Sequence, residues 1–196
     1  MKVDKLKRGG NMKIFIAILA MFLPAGAWAH PGHDGGGFMS GLAHPFSGLD
    51  HMLCMLAVGI WAARNGGARG WFVTVAFLGG MLAGGMIGLN GILPSFMESA
   101  VAASVVASAL LVALAVRLPL TAQAGVAAFF ALWHGIAHGA ELPAMAAPLS
   151  YACGFLAATA LLLGSGLILG NLLRKNERDR WLGVGMAALA ASLIWA

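Results

Sequence analysis

Charge is what this chain has least of: of its 196 residues only 10% are Asp, Glu, Lys or Arg, against 60% hydrophobic. A soluble domain carries about 25% charged residues to cover its surface, so that class is excluded and a membrane protein is expected. Cysteine occurs twice, at Cys54 and Cys153, both inside long apolar runs. Membrane-embedded thiols lack ready access to oxidant, which excludes a disulfide framework and predicts two free, buried thiols. There is no G-x-x-x-x-G-K-[ST] loop, so any coupling to ATP would need another subunit. There is no H-E-x-x-H either: the histidine pair with that spacing, His134 and His138, has Gly135 where the glutamate would stand, and the hydrolytic base is missing. The formal charge of +5 would suit nucleic acid, but the basic residues fall in a leader and in short loops rather than on one face, and nucleic acid is excluded as a partner.

What is present is apolar segments and glycine. The first 29 residues carry Lys2, Lys5, Lys7, Arg8 and Lys13, then an apolar run from Ile14 to Leu23, then Ala27-Trp28-Ala29. This order is that of a cleavable secretory signal peptide, and the apolar core is well short of the roughly 20 residues needed to span. The mature chain is expected to begin at His30, outside the cytoplasm. A periplasmic His- and Gly-rich segment is expected over 30–45 and a membrane domain over 46–196. Within it, hydrophobic spans are expected at 46–63, 71–92, 99–116, 121–140, 147–172 and 181–196. The fold class is therefore all-α, a polytopic bundle of six transmembrane helices. With the N-terminus outside, Arg64, Arg69, Arg117, Arg174, Lys175, Arg178 and Arg180 all fall in inner loops, and they are every Lys and Arg after residue 29. That matches the positive-inside rule and places both mature termini in the periplasm of a bacterial inner membrane, with Trp61, Trp71 and Trp181 at the inner boundary as an aromatic belt. Gly80, Gly84 and Gly88, like Gly166 and Gly170, have the spacing of close helix packing.

Four of the six histidines lie in or beside these spans. An ionisable group at membrane depth costs roughly 2.5 to 3.5 kcal/mol, so a cluster of them points to a pathway. His134 and His138 are four residues apart, on one side of a helix, with Glu141 on the same stripe; the pair suits a borderline divalent cation. A single histidine here would more simply be packing glue. His44 and His51 would share a face if their helix reaches that far, with Pro45 marking its start. Asp50 has two readings: a metal ligand, or the partner of Ser47 in a capping box, Ser47-x-x-Asp50. Ser95-x-x-Glu98 is read as a capping box alone. Met52 and Met55 read as core filler. His30 and His33, on a flexible glycine-rich arm, form a possible accessory chelator or a plain spacer. Cys54 is a further accessory candidate.

The motifs His44-Pro45-x-x-Gly48-x-Asp50-His51, running into Ala57-Val58-Gly59-Ile60-Trp61, and His134-Gly135-x-Ala137-His138-Gly139-x-Glu141 resemble those of the HupE/UreJ family of bacterial membrane proteins. The resemblance covers essentially the whole mature chain. It implies nickel uptake, in some members cobalt, serving hydrogenase, urease or cobalamin pathways, and it puts binding roles on His44, Asp50, His51, His134, His138 and Glu141. Cys54 stands where the family pattern would have a small apolar residue such as alanine. The expectation is an inner-membrane permease for a divalent transition metal, Ni²⁺ first and Co²⁺ next, with no catalytic residue and no required cofactor. Imidazole also suits zinc and copper, so ligand type alone does not choose the cargo. Lipid and the ion are the expected partners, with a homo-oligomer left open. The rival classes are a membrane metal-binding or assembly factor that does not transport, and a haem-binding or hydrolytic membrane enzyme.

Overall fold

The computed structural model describes residues 37–140, 147–174 and 177–195. The expected leader, the His30 and His33 arm, and Glu141 lie outside the described residues. Every regular element among the described residues is helical. The order is α1 (Phe38–Ala43), a 3₁₀ turn (His44–Phe46), α2 (Leu49–Ala62), a 3₁₀ turn (Ala63–Asn65), α3 (Gly67–Leu89), α4 (Met97–Ala113), α5 (Leu120–Ala140), α6 (Pro148–Leu173) and α7 (Arg178–Trp195). A helix satisfies its own backbone groups, which hydrocarbon cannot do, and these apolar runs adopt it. Helices α3, α5 and α6 are long and apolar enough to cross a membrane alone. The segments Phe38–Phe46 and Leu49–Asn65 meet at 82° and would make a fourth span if counted together, while α4 is a shorter apolar helix of 17 residues.

Glycine sets the closest helix contacts. On α3, a Cβ added to Gly80, Gly84 or Gly88 would run into the carbonyls of Ala128, Leu132 or Ile136 on α5, and one on Gly135 or Gly139 would strike the carbonyls of Met81 or Gly85 in return. The same device joins α2 to α6, where Gly59 faces the Leu163 carbonyl and Gly166 the Leu56 carbonyl. It also joins α1 to α6, through Gly41 against Tyr151 and Gly154 against Phe38. Such contacts let backbones meet without a side chain between them, which is how helices associate where apolar burial gives no advantage. Helix α4 packs on α2 and α7.

Hydrogen bonds gather the ends of the helices that carry the basic residues. Arg64 donates to the Val112 carbonyl, Arg180 to the Ala113 carbonyl, and Arg174 to the Ala63 carbonyl. Two expectations are corrected here. Trp61 does not join a lipid-facing belt: it is fully buried, its indole N–H bound to the Val116 carbonyl at 2.8 Å, whereas Trp71 and Trp181 are exposed. Cys54 is a free, buried thiol as expected, but Cys153, also free, is exposed.

Candidate metal site

The first motif is built on a bend. Pro45 falls inside the 3₁₀ turn rather than at the start of a helix, and α2 begins only at Leu49. His44 and His51 therefore do not share one helix face; they flank the corner. Ser47 does not cap α2 either. Its hydroxyl turns back to donate to the His44 carbonyl at 2.6 Å, and the N-cap residue is Gly48, with no side-chain cap bond. Freed from capping, Asp50 lies 2.7 Å from His51 Nδ1. Gly48 makes room for this pair: a Cβ there would stand 2.7 Å from Asp50 Oδ1 and 3.0 Å from His51 Nδ1.

The second motif meets the first directly. The rings form a string in which His44 contacts His138 at a centroid distance of 4.8 Å, His138 contacts His51 at 4.3 Å, and His51 contacts His134 at 5.0 Å. Phe155 of α6 packs on His138 at 4.4 Å and on His44 at 6.1 Å, with Tyr151 beside His44 at 5.8 Å. His134 is fully buried and His138 nearly so.

The hydrogen bonds fix two tautomers. An ionised carboxylate only accepts, so Nδ1 of His51 carries the proton donated to Asp50, and its Nε2 is left with a lone pair. The Ser104 hydroxyl donates its one proton to the Val101 carbonyl at 2.7 Å, so at 2.8 Å from His134 Nε2 it accepts, and the lone pair of His134 falls on Nδ1. Both lone-pair nitrogens, His51 Nε2 and His134 Nδ1, are buried without a hydrogen-bond partner. An imidazole held by a carboxylate or hydroxyl through one nitrogen, with the other free, is in the state a metal ligand requires. Among the described residues, however, no three His, Cys, Asp or Glu side chains converge as a set able to hold an ion. The arrangement is a string of imidazoles, not a closed chelate.

A cavity of about 940 Å³ opens beside Asp50 and His51, and Glu98 and Ser99 of α4 and Leu193 of α7 are in its wall. Glu98 was expected to cap α4 with Ser95. Instead α4 begins at Met97 after Phe96, with no side-chain cap bond, and Glu98 is an exposed carboxylate facing the same cavity as Asp50. From the other side an apolar cleft of about 250 Å³ between α3, α5 and α6 reaches His138. Sequence reasoning brought together His44, Asp50, His51, His134 and His138 and missed Ser104, Glu98, Tyr151 and Phe155. The one available signal for Ser104 was its pairing with Ser108, four residues on, in a stretch of α4 that is apolar apart from the two.

An all-helical bundle among the described residues, with helices fit to cross a membrane and imidazole rings packed in its interior, defines a polytopic membrane protein with a buried histidine cluster. The chain belongs to the HupE/UreJ family: the family model described as "HupE / UreJ protein" matches residues 17–193. It is similar to Protein HupE of Rhizobium leguminosarum bv. viciae, at 46% identity over 157 residues, 79% of this chain and 82% of that one. No solved structure matches it.

Proposed function

We propose that the protein is an inner-membrane permease that takes up a divalent transition metal, Ni²⁺ first and Co²⁺ next, through the path that begins at the histidine string. The supporting observation is the pair of buried, unpartnered lone-pair nitrogens on His51 and His134, in ring contact at 5.0 Å. Leaving such atoms unsatisfied in apolar surroundings costs about 1 to 3 kcal/mol each, a cost that a passing cation offsets. A string of rings offers an ion one or two imidazoles at a time. That suits conduction, in which binding must be weak enough to release, and it argues against a storage or assembly factor, which needs ligands that close on the ion. Rings in direct contact also leave no slot for a haem between them. The nickel and cobalt association of the family points the same way.

In this reading a signal peptide is removed after Ala29, six helices span the membrane, and both termini face the periplasm. Glu141 then lies toward the entrance, with His30 and His33 as accessory ligands and Cys54 beside the path. An inside-negative potential gives a dication about 4.6 kcal/mol per 100 mV, so uptake needs no ATP. The test is purified protein in liposomes loaded with a metal-sensitive dye. Entry of Ni²⁺, accelerated by an imposed inside-negative potential, supports the permease; binding without entry would leave the non-transporting factor.

A further inference from the structure

A second buried polar cluster sits at the opposite end of the bundle, where the outer histidines make no use of it. Arg64, just past α2, places Nη2 2.7 Å from Oδ2 of Asp179 in the first turn of α7, with the two side chains 12% and 2% exposed. The same nitrogen donates to the Val112 carbonyl of α4 at 3.3 Å. Three residues before Arg64 in the chain, the Trp61 carbonyl accepts from Nε2 of Gln123 on α5 at 2.9 Å, and the Trp61 indole donates to the Val116 carbonyl. These contacts tie α2, α4, α5 and α7 together at one level. Gln123 is on the buried side of α5 with Ala127, Ala131, His134 and His138, and helical rise puts it roughly 16 Å below His134. Ala127 and Ala131 between them are fully buried, and on the permease reading a cation moving down that stripe would end at Gln123, Trp61 and the ion pair.

Stability does not account for this cluster. Arg64 Nε, Gln123 Oε1 and Asp179 Oδ1 are buried with no hydrogen-bond partner, and a buried ion pair with such gaps is commonly no better than apolar residues of the same volume. Its position gives it a use, because a guanidinium held across the inner end of a dication path both fills the space and repels the ion. We infer that the Arg64–Asp179 pair, together with the Gln123–Trp61 hydrogen bond, is the inner gate of the path, shut while the pair is made and open when it parts. Its purpose rests on the permease reading; its test does not.

The test uses the full chain with Cys54 and Cys153 replaced by Ala, and a reporter, Ala127→Cys, at a fully buried position between Gln123 and His134. A membrane-impermeant maleimide is applied to the inner face in inside-out vesicles. Adding Asp179→Asn should speed labelling at least tenfold, and Arg64→Gln should do the same should the first variant fail to insert. The exchange Arg64→Asp with Asp179→Arg should return labelling toward the slow rate. A depth control, Val73→Cys on α3, also fully buried, should label at one rate throughout. Unchanged labelling at the Ala127→Cys reporter, or equal acceleration at both reporters, would overturn the gate and leave the pair a packing contact. Should the parent chain move no metal in liposomes, the permease reading falls while the labelling result still decides the gate.

Discussion

At His51 one ring nitrogen is committed to Asp50 and the other is buried and free, so the carboxylate sets which nitrogen can meet an ion. Ser104 does the same for His134. Losing such an orienting partner typically costs 10- to 100-fold in metal affinity, roughly, so Asp50→Asn and Ser104→Ala should each weaken Ni²⁺ binding by that order while the chain still inserts. Titration calorimetry of the purified variants measures it, and wild-type affinity in both would mean the tautomers are idle. Gly48→Ala should act on the same pair without touching a donor atom, since its methyl would stand 2.7 Å from Asp50 Oδ1. Its loss of binding should resemble that of Asp50→Asn. Cys54, fully buried on α2 one turn from His51, should impair uptake when enlarged to Leu, and a normal rate in that variant would remove it from the path.

The helices are held by carbonyl contacts at glycine, and this sets apart positions that look alike in sequence. Gly84→Ala on α3 drives a methyl into the Leu132 carbonyl, whereas Gly125→Ala on α5 meets nothing within 4 Å. Overpacking costs about 1 to 3 kcal/mol, so the first should lower the thermal midpoint in detergent. The second should leave it unchanged or raise it, because alanine favours a helix by about 0.8 to 1.0 kcal/mol over glycine. Equal midpoints would mean that α3 and α5 do not depend on this seam. The hydrophobic runs and their Gly, Pro and Arg breaks located α2 to α7 to within a few residues, because length and apolarity alone define such segments. Helix α1 was not legible: Phe38–Ala43 is a single short turn-and-a-half of mixed residues, made helical by its fit against Gly154 and Tyr151 of α6. The 82° corner after it was hidden because Pro45 and Ser47-x-x-Asp50 read as the start and capping box of one continuous helix.

Across the described residues, His44, His51, His134 and His138 lie at one end and the Arg64, Arg174 and Arg180 contacts at the other. The positions of the four histidines and Asp50 were legible because ionisable residues in apolar segments are few. Their partners were not: Ser104, Phe155 and Tyr151 are ordinary residues that only the packing of α4 and α6 brings to the rings. For the intact protein, N-terminal sequencing after membrane extraction should read from His30; a chain still beginning at Met1 would contradict the leader and the outward N-terminus. The most direct test of the histidine path is the initial rate of Ni²⁺ entry into liposomes for the parent chain beside His51→Ala and His138→Ala, each matched for insertion. The account predicts entry in the parent and loss of at least about 90% of the rate in both variants, since each breaks the string at its middle. Parent-like rates in correctly inserted variants would contradict it and make the four imidazoles packing groups.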